Sequence, residues 1–528
     1  MLLYSGKNIG KPNFYLEKEN TNKDIESKYK IDVEKIFSSL NDVYKYIEEL
    51  VNIVNSNLRN FDKKLNGDIN DIDELFCINN QYKSFTKKIY KKLEKVEAFV
   101  LLRKYLNIYD ENIKKNNEII SKDIFILKTE IFEFSKKIID LKEIIERKKQ
   151  KKSNKNDEKK EKDNKDRKIL NNKIMEYYKN INVLKNIKDE EEEEEYTKLL
   201  NDNILLYISI YESFKQDKNL FENNFGYDEN IRKKNINIII NNIFNLKYLK
   251  EYNNIKNLAQ KNISNNKKEY DINKIEKLII DSSKILDEDY NKKINKILNN
   301  NQIDIFKNKN KIPKNTTIPK YKGYILLQNT KNNIDIFTFA HEIGHLIRYI
   351  YVDKEYGENF IEESFAICNE FLLLDFLINN KKLKKIYFND INNAILSFLS
   401  KVFDTIECFL FQEYLLTELE SENKENTVEK ILEKRKINLE KMEYKNANIK
   451  IKDFALKPSY LSPYYSLNYF IGIFLGFEMF QNIKNKRKCI IEKKNLEFKD
   501  ILKFLEKKNL NDLIDIKALF DYFNNILK

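Results

Sequence analysis

Apolar residues recur at spacings of three and four along most of the chain, which is the period of an amphipathic α-helix. The pattern is nearly continuous from about residue 32 to 146, returns over about 236 to 298 and resumes after 330. One such series is formed by Ile36, Leu40, Val43, Ile47 and Leu50. With only 9 Gly and 5 Pro among 528 residues, few positions break helices. The pattern predicts a mainly α fold.

A change of character marks the segment from Ile312 to Thr330, which carries two prolines and a glycine. It contains the best strand candidate of the chain, the β-prone run Tyr324 to Gln328. Such a change between helical regions favours a domain boundary. We therefore expect an N-terminal helical lobe over 1–310 and a second lobe over 311–528 that holds a small sheet.

The segment from Arg147 to Lys168 is almost devoid of apolar residues, with 12 basic and 5 acidic side chains. It cannot bury enough apolar surface to offset the entropy of ordering. We expect a flexible charged insertion here. The segment also carries +7 of the net charge of +13. The net positive charge is therefore weak evidence for binding to nucleic acid, and no specific nucleic-acid partner is expected.

Other sequence features narrow the class of protein. No glycine-rich phosphate-binding motif occurs, and no apolar run reaches the roughly 18 residues that a membrane span needs. The four cysteines, Cys77, Cys368, Cys408 and Cys489, are widely separated, and a reduced compartment fits them best. These observations predict a cytoplasmic protein without a membrane partner. They leave the oligomeric state open.

Both histidines of the chain lie in one pentapeptide, His341-Glu342-Ile343-Gly344-His345. On a helix, residues four apart share one face, so the two imidazoles can converge on one ion. Glu342 directly follows His341 and therefore lies about 100° around the helix from it. It can thus act on a water molecule without ligating the ion. This match to H-E-x-x-H predicts one zinc ion per chain, with Glu342 as the general base.

A catalytic zinc needs a third protein ligand, and no further histidine exists. The next helical segment, IEESFAICNEFLLLDFL, offers Glu363 and Glu370 on one face, nearly two turns apart. Glu363 is the predicted ligand, with Glu362 as its competitor. Glu370 either accepts a hydrogen bond from a ligand histidine or belongs to a solvated face.

Three segments resemble the oligoendopeptidase F branch of the thimet-oligopeptidase-like zinc metallopeptidases. YILLQNTKNNIDIFTFAHEIGH is similar to the family's strand, loop and active-site helix, and IEESFAICNE to its third-ligand helix. PSYLSPYYSLNYFIG resembles its tyrosine-rich segment. Where the family often has a histidine three residues beyond the second ligand, this chain has Arg348.

The resemblance implies a gluzincin-type metallopeptidase, two-lobed, whose deep channel admits short unfolded peptides. The tyrosine-rich segment would supply a hydrogen-bond donor to the oxyanion. The candidates are Tyr460, Tyr464 and Tyr465, followed by Arg348. The family's strand would add the substrate backbone to its free edge. The residues concerned are Tyr324, Ile325, Leu326, Leu327 and Gln328; an ordinary edge strand is the alternative.

Two other functions remain open at this point. One is a basic helical binding protein in which the metal is structural or absent. The other is a different gluzincin-type peptidase, because the spacing from His345 to Glu363 also suits relatives of thermolysin.

Overall fold

The computed structural model describes most of the chain. The described residues are 30–66, 72–150, 193–216, 246–261, 263, 272–286, 288–308, 310–312, 314–329, 335–351, 359–417, 465–485, 498–507 and 510–528, with isolated positions between 173 and 180 and between 430 and 440. Among them, no helix combines the length and the apolar character that crossing a bilayer requires.

Helices dominate the described residues, as the apolar periodicity predicts. The helices are α1 (Leu40–Leu65), α2 (Ile72–Leu106), α3 (Glu111–Gln150), α4 (Glu193–Gln216), α5 (Leu246–Lys261), α6 (Ile272–Ser282), α7 (Glu288–Asn299), α8 (Ile336–Tyr351), α9 (Asn359–Asn379), α10 (Lys381–Ile386), α11 (Phe388–Thr417), α12 (Tyr465–Lys484), α13 (Phe498–Phe504), α14 (Leu510–Leu513) and α15 (Ile516–Leu527). The strands are β1 (Ile303–Phe306), β2 (Thr316–Ile318) and β3 (Tyr324–Asn329). The prediction of a mainly helical fold with a small sheet is confirmed.

Helix α1 illustrates how the sequence sets these elements. The side chain of Ser39 caps its first turn by accepting a hydrogen bond from the backbone N–H of Asp42. Val43, Ile47 and Leu50 then recur on one face and are buried. The helix therefore forms where a capping residue meets an apolar stripe.

Internal contacts group the elements into two units. The sheet unit contains α1–α3 and the three strands, and the helical unit contains α4–α6 and α8–α15, while α7 crosses the division. The two units interleave along the sequence, whereas the sequence pattern favours consecutive lobes divided near residue 310. No boundary falls near residue 310 because β1 precedes this residue and pairs with β3, which follows it.

The sheet has the strand order β1-β3-β2, with β1 parallel and β2 antiparallel to β3. Its core is shared with the helices of the same unit, since Ile318, Tyr324 and Leu326 join the buried cluster of α1–α3. The predicted strand from Tyr324 to Gln328 is confirmed as part of β3. This strand is the central one of the sheet and not an edge strand.

The expected free edge for substrate is therefore wrong over Ile325 and Leu326, which pair with β1 on one side and with β2 on the other, whereas Tyr324 pairs with Ile318 of β2 alone among the described strands. Further along, the backbone N–H of Gln328 donates to the side chain of Asn315 at 2.7 Å. The flanking strands have four and three residues, too few to give a recognisable pattern.

Helix α9 lies at the centre of the helical unit, against α8 on one side and α12 on another. Glycines allow these close approaches. A Cβ atom on Gly344 would lie 2.7 Å from the Cα atom of Ala366, and one on Gly476 would lie 2.8 Å from the carbonyl oxygen of Ser364. Because nearly all of α9 is buried, polar side chains on it need specific partners.

The predicted insertion 147–168 lies largely outside the described residues. Its first four positions continue helix α3 to Gln150. The flexibility of the segment stays a prediction.

Candidate metal centre

Helix α8 presents both histidines on one face, as their spacing of four predicts. The Nε2 atoms of His341 and His345 lie 3.1 Å apart, and the two rings meet edge to face with centroids at 4.6 Å. Two imidazole nitrogens thus point toward a common position.

Helix α9 brings Glu363 to the same position. Its Oε2 atom lies 3.5 Å from Nε2 of His341 and 3.8 Å from Nε2 of His345. The potential ligand atoms of the three residues all lie within 4.8 Å of one another. The structure therefore brings together the three side chains that the sequence analysis predicts as metal ligands.

The Oε2 atom of Glu363 tests whether these residues suit a metal ion. It is buried and has no hydrogen-bond partner among the described residues, which is costly for a carboxylate oxygen. Burial raises the pKa of this carboxyl to about 7, against the lowering effect of His341 and Lys401. A bound cation would satisfy the oxygen and offset the burial of its charge. Two imidazoles and one carboxylate are a ligand set typical of catalytic zinc, so the residues fit that ion.

Glu370 contacts His341 at Nδ1, the ring nitrogen on the other side from the Nε2 atom that faces Glu363. Its Oε1 atom is 2.6 Å from Nδ1 of His341, and its side chain is almost fully buried, with 3% of the residue exposed. The alternative of a solvated face is therefore wrong. Burial lowers the pKa of His341, but the hydrogen bond and charge of Glu370 outweigh burial and raise it. The contact fixes Nδ1 as the protonated nitrogen and leaves Nε2 for a metal.

Lys401 is the residue of this site that sequence reasoning missed. Its Nζ atom, supplied by α11, lies 2.9 Å from Oε1 and 3.2 Å from Oε2 of Glu370. Burial raises the pKa of the Glu370 carboxyl, but Lys401, and then His341, outweigh burial and lower it. A signal was available: Lys401 lies between the buried apolar residues Phe398 and Val402, where a lone lysine needs a partner.

Glu362, the competing ligand, faces another partner. Its Oε1 atom lies 3.7 Å from Nε of Arg348, whose guanidinium stacks at 4.4 Å over the ring of Phe365. The backbone of Glu362 accepts a hydrogen bond from the side chain of His345. Burial, followed by the neighbouring His341, holds the pKa of His345 well below its usual value, so this imidazole is neutral at pH 7. Glu362 thus orients His345 through its backbone.

The structure describes only some of the other predicted site residues. Glu342 is buried on α8, close enough to Glu363 for its charge to help raise the pKa of that carboxyl. Tyr460 and Tyr464 lie outside the described residues. Tyr465 begins α12, and its side chain is not described. The oxyanion donor stays a prediction.

Comparisons with known proteins point in one direction. No protein-family model matches the chain. An oligoendopeptidase F homolog from Borreliella burgdorferi is 28% identical over 233 residues. That alignment covers 40% of this chain and 38% of the relative, so it spans well under half of either protein.

Two solved structures share the fold over nearly their whole length. A candidate peptidase from Chlamydophila abortus superposes with a TM-score of 0.59 at 14% identity, covering 95% of this chain and 97% of the other. A candidate oligoendopeptidase F superposes with a TM-score of 0.60 at 12% identity, covering 91% of this chain and 96% of the other. At these identities the structures establish the fold alone. Together with the curated relative, they confirm that the chain resembles the oligoendopeptidase F branch of peptidases.

Proposed function

We propose that this protein is a zinc-dependent oligoendopeptidase that hydrolyses short unfolded peptides. The observation that carries the proposal is the convergence of His341, His345 and Glu363, with the buried Glu342 beside them. The Oε2 atom of Glu363 has no hydrogen-bond partner among the described residues. The similarity to oligoendopeptidase F proteins supports peptides as the substrate class. The widely spaced cysteines favour the cytoplasm as its compartment.

The side chains have separate tasks in this reaction. A zinc ion held by His341, His345 and Glu363 would supply a Lewis acid that polarises the peptide carbonyl and makes water nucleophilic near neutral pH. Glu342 accepts a proton on its carboxylate when the water oxygen bonds to the carbonyl carbon, and it returns that proton to the nitrogen as the C–N bond breaks. Glu370 and the backbone of Glu362 keep the two imidazoles in the orientation that this chemistry needs.

Replacement of Glu342 by glutamine tests the proposal. The substitution removes the base and leaves the three ligands, so kcat on a short quenched-fluorescence peptide should fall by about 10²–10⁴-fold with unchanged zinc content. Glu362→Gln is the matched control, because it changes a nearby carboxylate that is half-buried and is not assigned to proton transfer. Full activity in Glu342→Gln would refute the assignment of the base.

The ionic-strength response separates an enzyme from a basic binding protein. Binding to phosphates weakens steeply as salt rises, because counterions are released on binding. Peptide hydrolysis should not follow that slope. Salt-sensitive RNA binding without peptidase activity would favour the binding protein instead.

A further inference from the structure

Helix α9 carries two buried carboxylates that both approach His341. Oε2 of Glu363 lies 3.5 Å from Nε2, and Oε1 of Glu370 lies 2.6 Å from Nδ1. By residue type either carboxylate could ligate a metal ion. Another feature of the fold must therefore determine which of the two carboxylates ligates the ion.

The two carboxylates differ in their partners. Both oxygens of Glu370 contact Nζ of Lys401, at 2.9 and 3.2 Å, and one of them also contacts His341. Oε2 of Glu363 has no hydrogen-bond partner in the part of the chain that the structure describes. Glu370 is thus committed on both oxygens, whereas Glu363 keeps one oxygen available for a cation.

We propose that Lys401 is a positioning residue that assigns these two roles. By holding both oxygens of Glu370, it fixes the plane in which this carboxylate accepts Nδ1–H of His341. The imidazole then keeps its Nε2 atom directed at the position shared with His345 and Glu363. The inference rests on the proposed zinc site and adds a residue from α11 to it.

The setting of Lys401 supports a fixed side chain. About a quarter of its side chain is exposed, its Nζ atom lies 5.5 Å above the ring of Phe398, and its neighbour Val402 is buried. A lysine gives up considerable rotamer freedom to stay in one place. Two contacts to one carboxylate together with an aromatic face offset that loss, because each is stronger in a partly desolvated setting.

Two effects of Lys401 on zinc oppose each other. Its positive charge repels a cation, whereas its contacts with Glu370 orient the imidazole of His341. The repulsion is reduced because the ammonium is paired directly with the Glu370 carboxylate, so the pair is nearly neutral at a distance. Outer partners of ligand histidines commonly change metal affinity by about 10–100-fold. Orientation should therefore prevail, at about the lower end of that range.

The test is the zinc dissociation constant of the full-length chain, measured at pH 7 by competition with a chromophoric chelator. Lys401→Met should weaken zinc binding by about tenfold, and Lys401→Arg, which keeps the charge and the donors, should stay within about threefold of wild type. Lys507→Met is the matched control: Lys507 is similarly buried and pairs with Glu478 at 2.9 Å in the same helical unit. It should leave zinc affinity unchanged.

A second readout follows from the presence of only two histidines. In protein labelled with ¹⁵N at histidine, one imidazole of the wild type should show the Nδ1–H tautomer that Glu370 selects. Lys401→Met should mix this signal with the other tautomer, which a loss of packing alone would not do. If the methionine variant does not fold, Lys401→Gln replaces it.

The outcomes separate this inference from the proposed function. If the wild-type chain binds zinc and cleaves peptide, but Lys401→Met binds zinc within twofold of wild type or more tightly, Lys401 is not a positioning residue and the proposed function stands. If the wild-type chain binds no zinc, both are wrong.

Discussion

Gly344 lies directly against Ala366, so that a Cβ atom on Gly344 would come within 2.7 Å of the Cα atom of Ala366. Gly344 is in α8, next to His345, and Ala366 is in α9, three residues after Glu363. The close approach of these helices brings His345 and Glu363, which lie in separate segments, to one point. A glycine at this position is therefore part of the geometry of the candidate metal site.

Substitution of Gly344 by alanine should push α8 and α9 apart. Overpacking of this kind costs about 1–3 kcal/mol of stability. It should also weaken zinc binding, because the histidines and Glu363 lie on opposite sides of the contact. Urea unfolding and zinc titration measure the two effects. Unchanged stability and affinity would show that the helices have room for the extra methyl group.

The two adjacent carboxylates of α9 should differ sharply when each becomes glutamine. Glu363→Gln removes a metal ligand and should lower zinc affinity by more than the roughly 10–100-fold that an outer partner costs. Glu362→Gln should retain zinc, since its side chain faces Arg348. The comparison uses equilibrium dialysis at one pH. A reversed order would assign the third ligand to Glu362.

One of the three tyrosines of the predicted oxyanion segment should matter far more than the others. Changed singly to phenylalanine, Tyr460, Tyr464 or Tyr465 should lose on the order of 100-fold to 1000-fold in kcat if it supplies the donor, with zinc content unchanged. The other two act as controls for packing. Wild-type kcat in all three would move the assignment to Arg348.

Glu97 should make the stability of the sheet unit depend on pH. It contacts Lys128 of α3 and, at 2.8 Å, Lys320 between β2 and β3. Burial raises the pKa of Glu97, but these two lysines outweigh burial and lower it. A carboxyl with a lowered pKa stabilises the fold above its unfolded pKa, and this contribution is lost as the pH falls through the folded pKa.

Glu97→Gln should accordingly cost about 1–3 kcal/mol at pH 7 and progressively less as the pH falls below about 4.5. Urea unfolding of both proteins between pH 7 and 3, followed by circular dichroism, measures the difference. A gap that stays constant over that range would mean that the charge of Glu97 contributes nothing.

Local features of the fold and site could be predicted from the sequence, and features that depend on packing could not. His341 and His345 share a face because of helical geometry alone, and Tyr324 to Gln328 is a strand because its residues favour extended backbone. The central position of β3 depends on two very short strands that pair with it across the sheet. Such pairing leaves no periodic pattern.

The contact between Glu370 and Lys401 shows the same limit in the site. The two residues are 31 positions apart and meet only because α9 and α11 pack together. Apolar periodicity predicts each helix but not which of its polar residues faces which neighbour. The buried position of Lys401 among apolar residues indicated a partner without identifying it.

We expect peptide hydrolysis to require a zinc ion held by His341, His345 and Glu363. The most direct test is the zinc content and peptidase activity of one sample of full-length protein, before chelation, after chelation and after zinc is returned. We expect one zinc per chain at the start, loss of zinc and activity together, and recovery of both in proportion. Activity that survives complete removal of zinc would contradict this expectation.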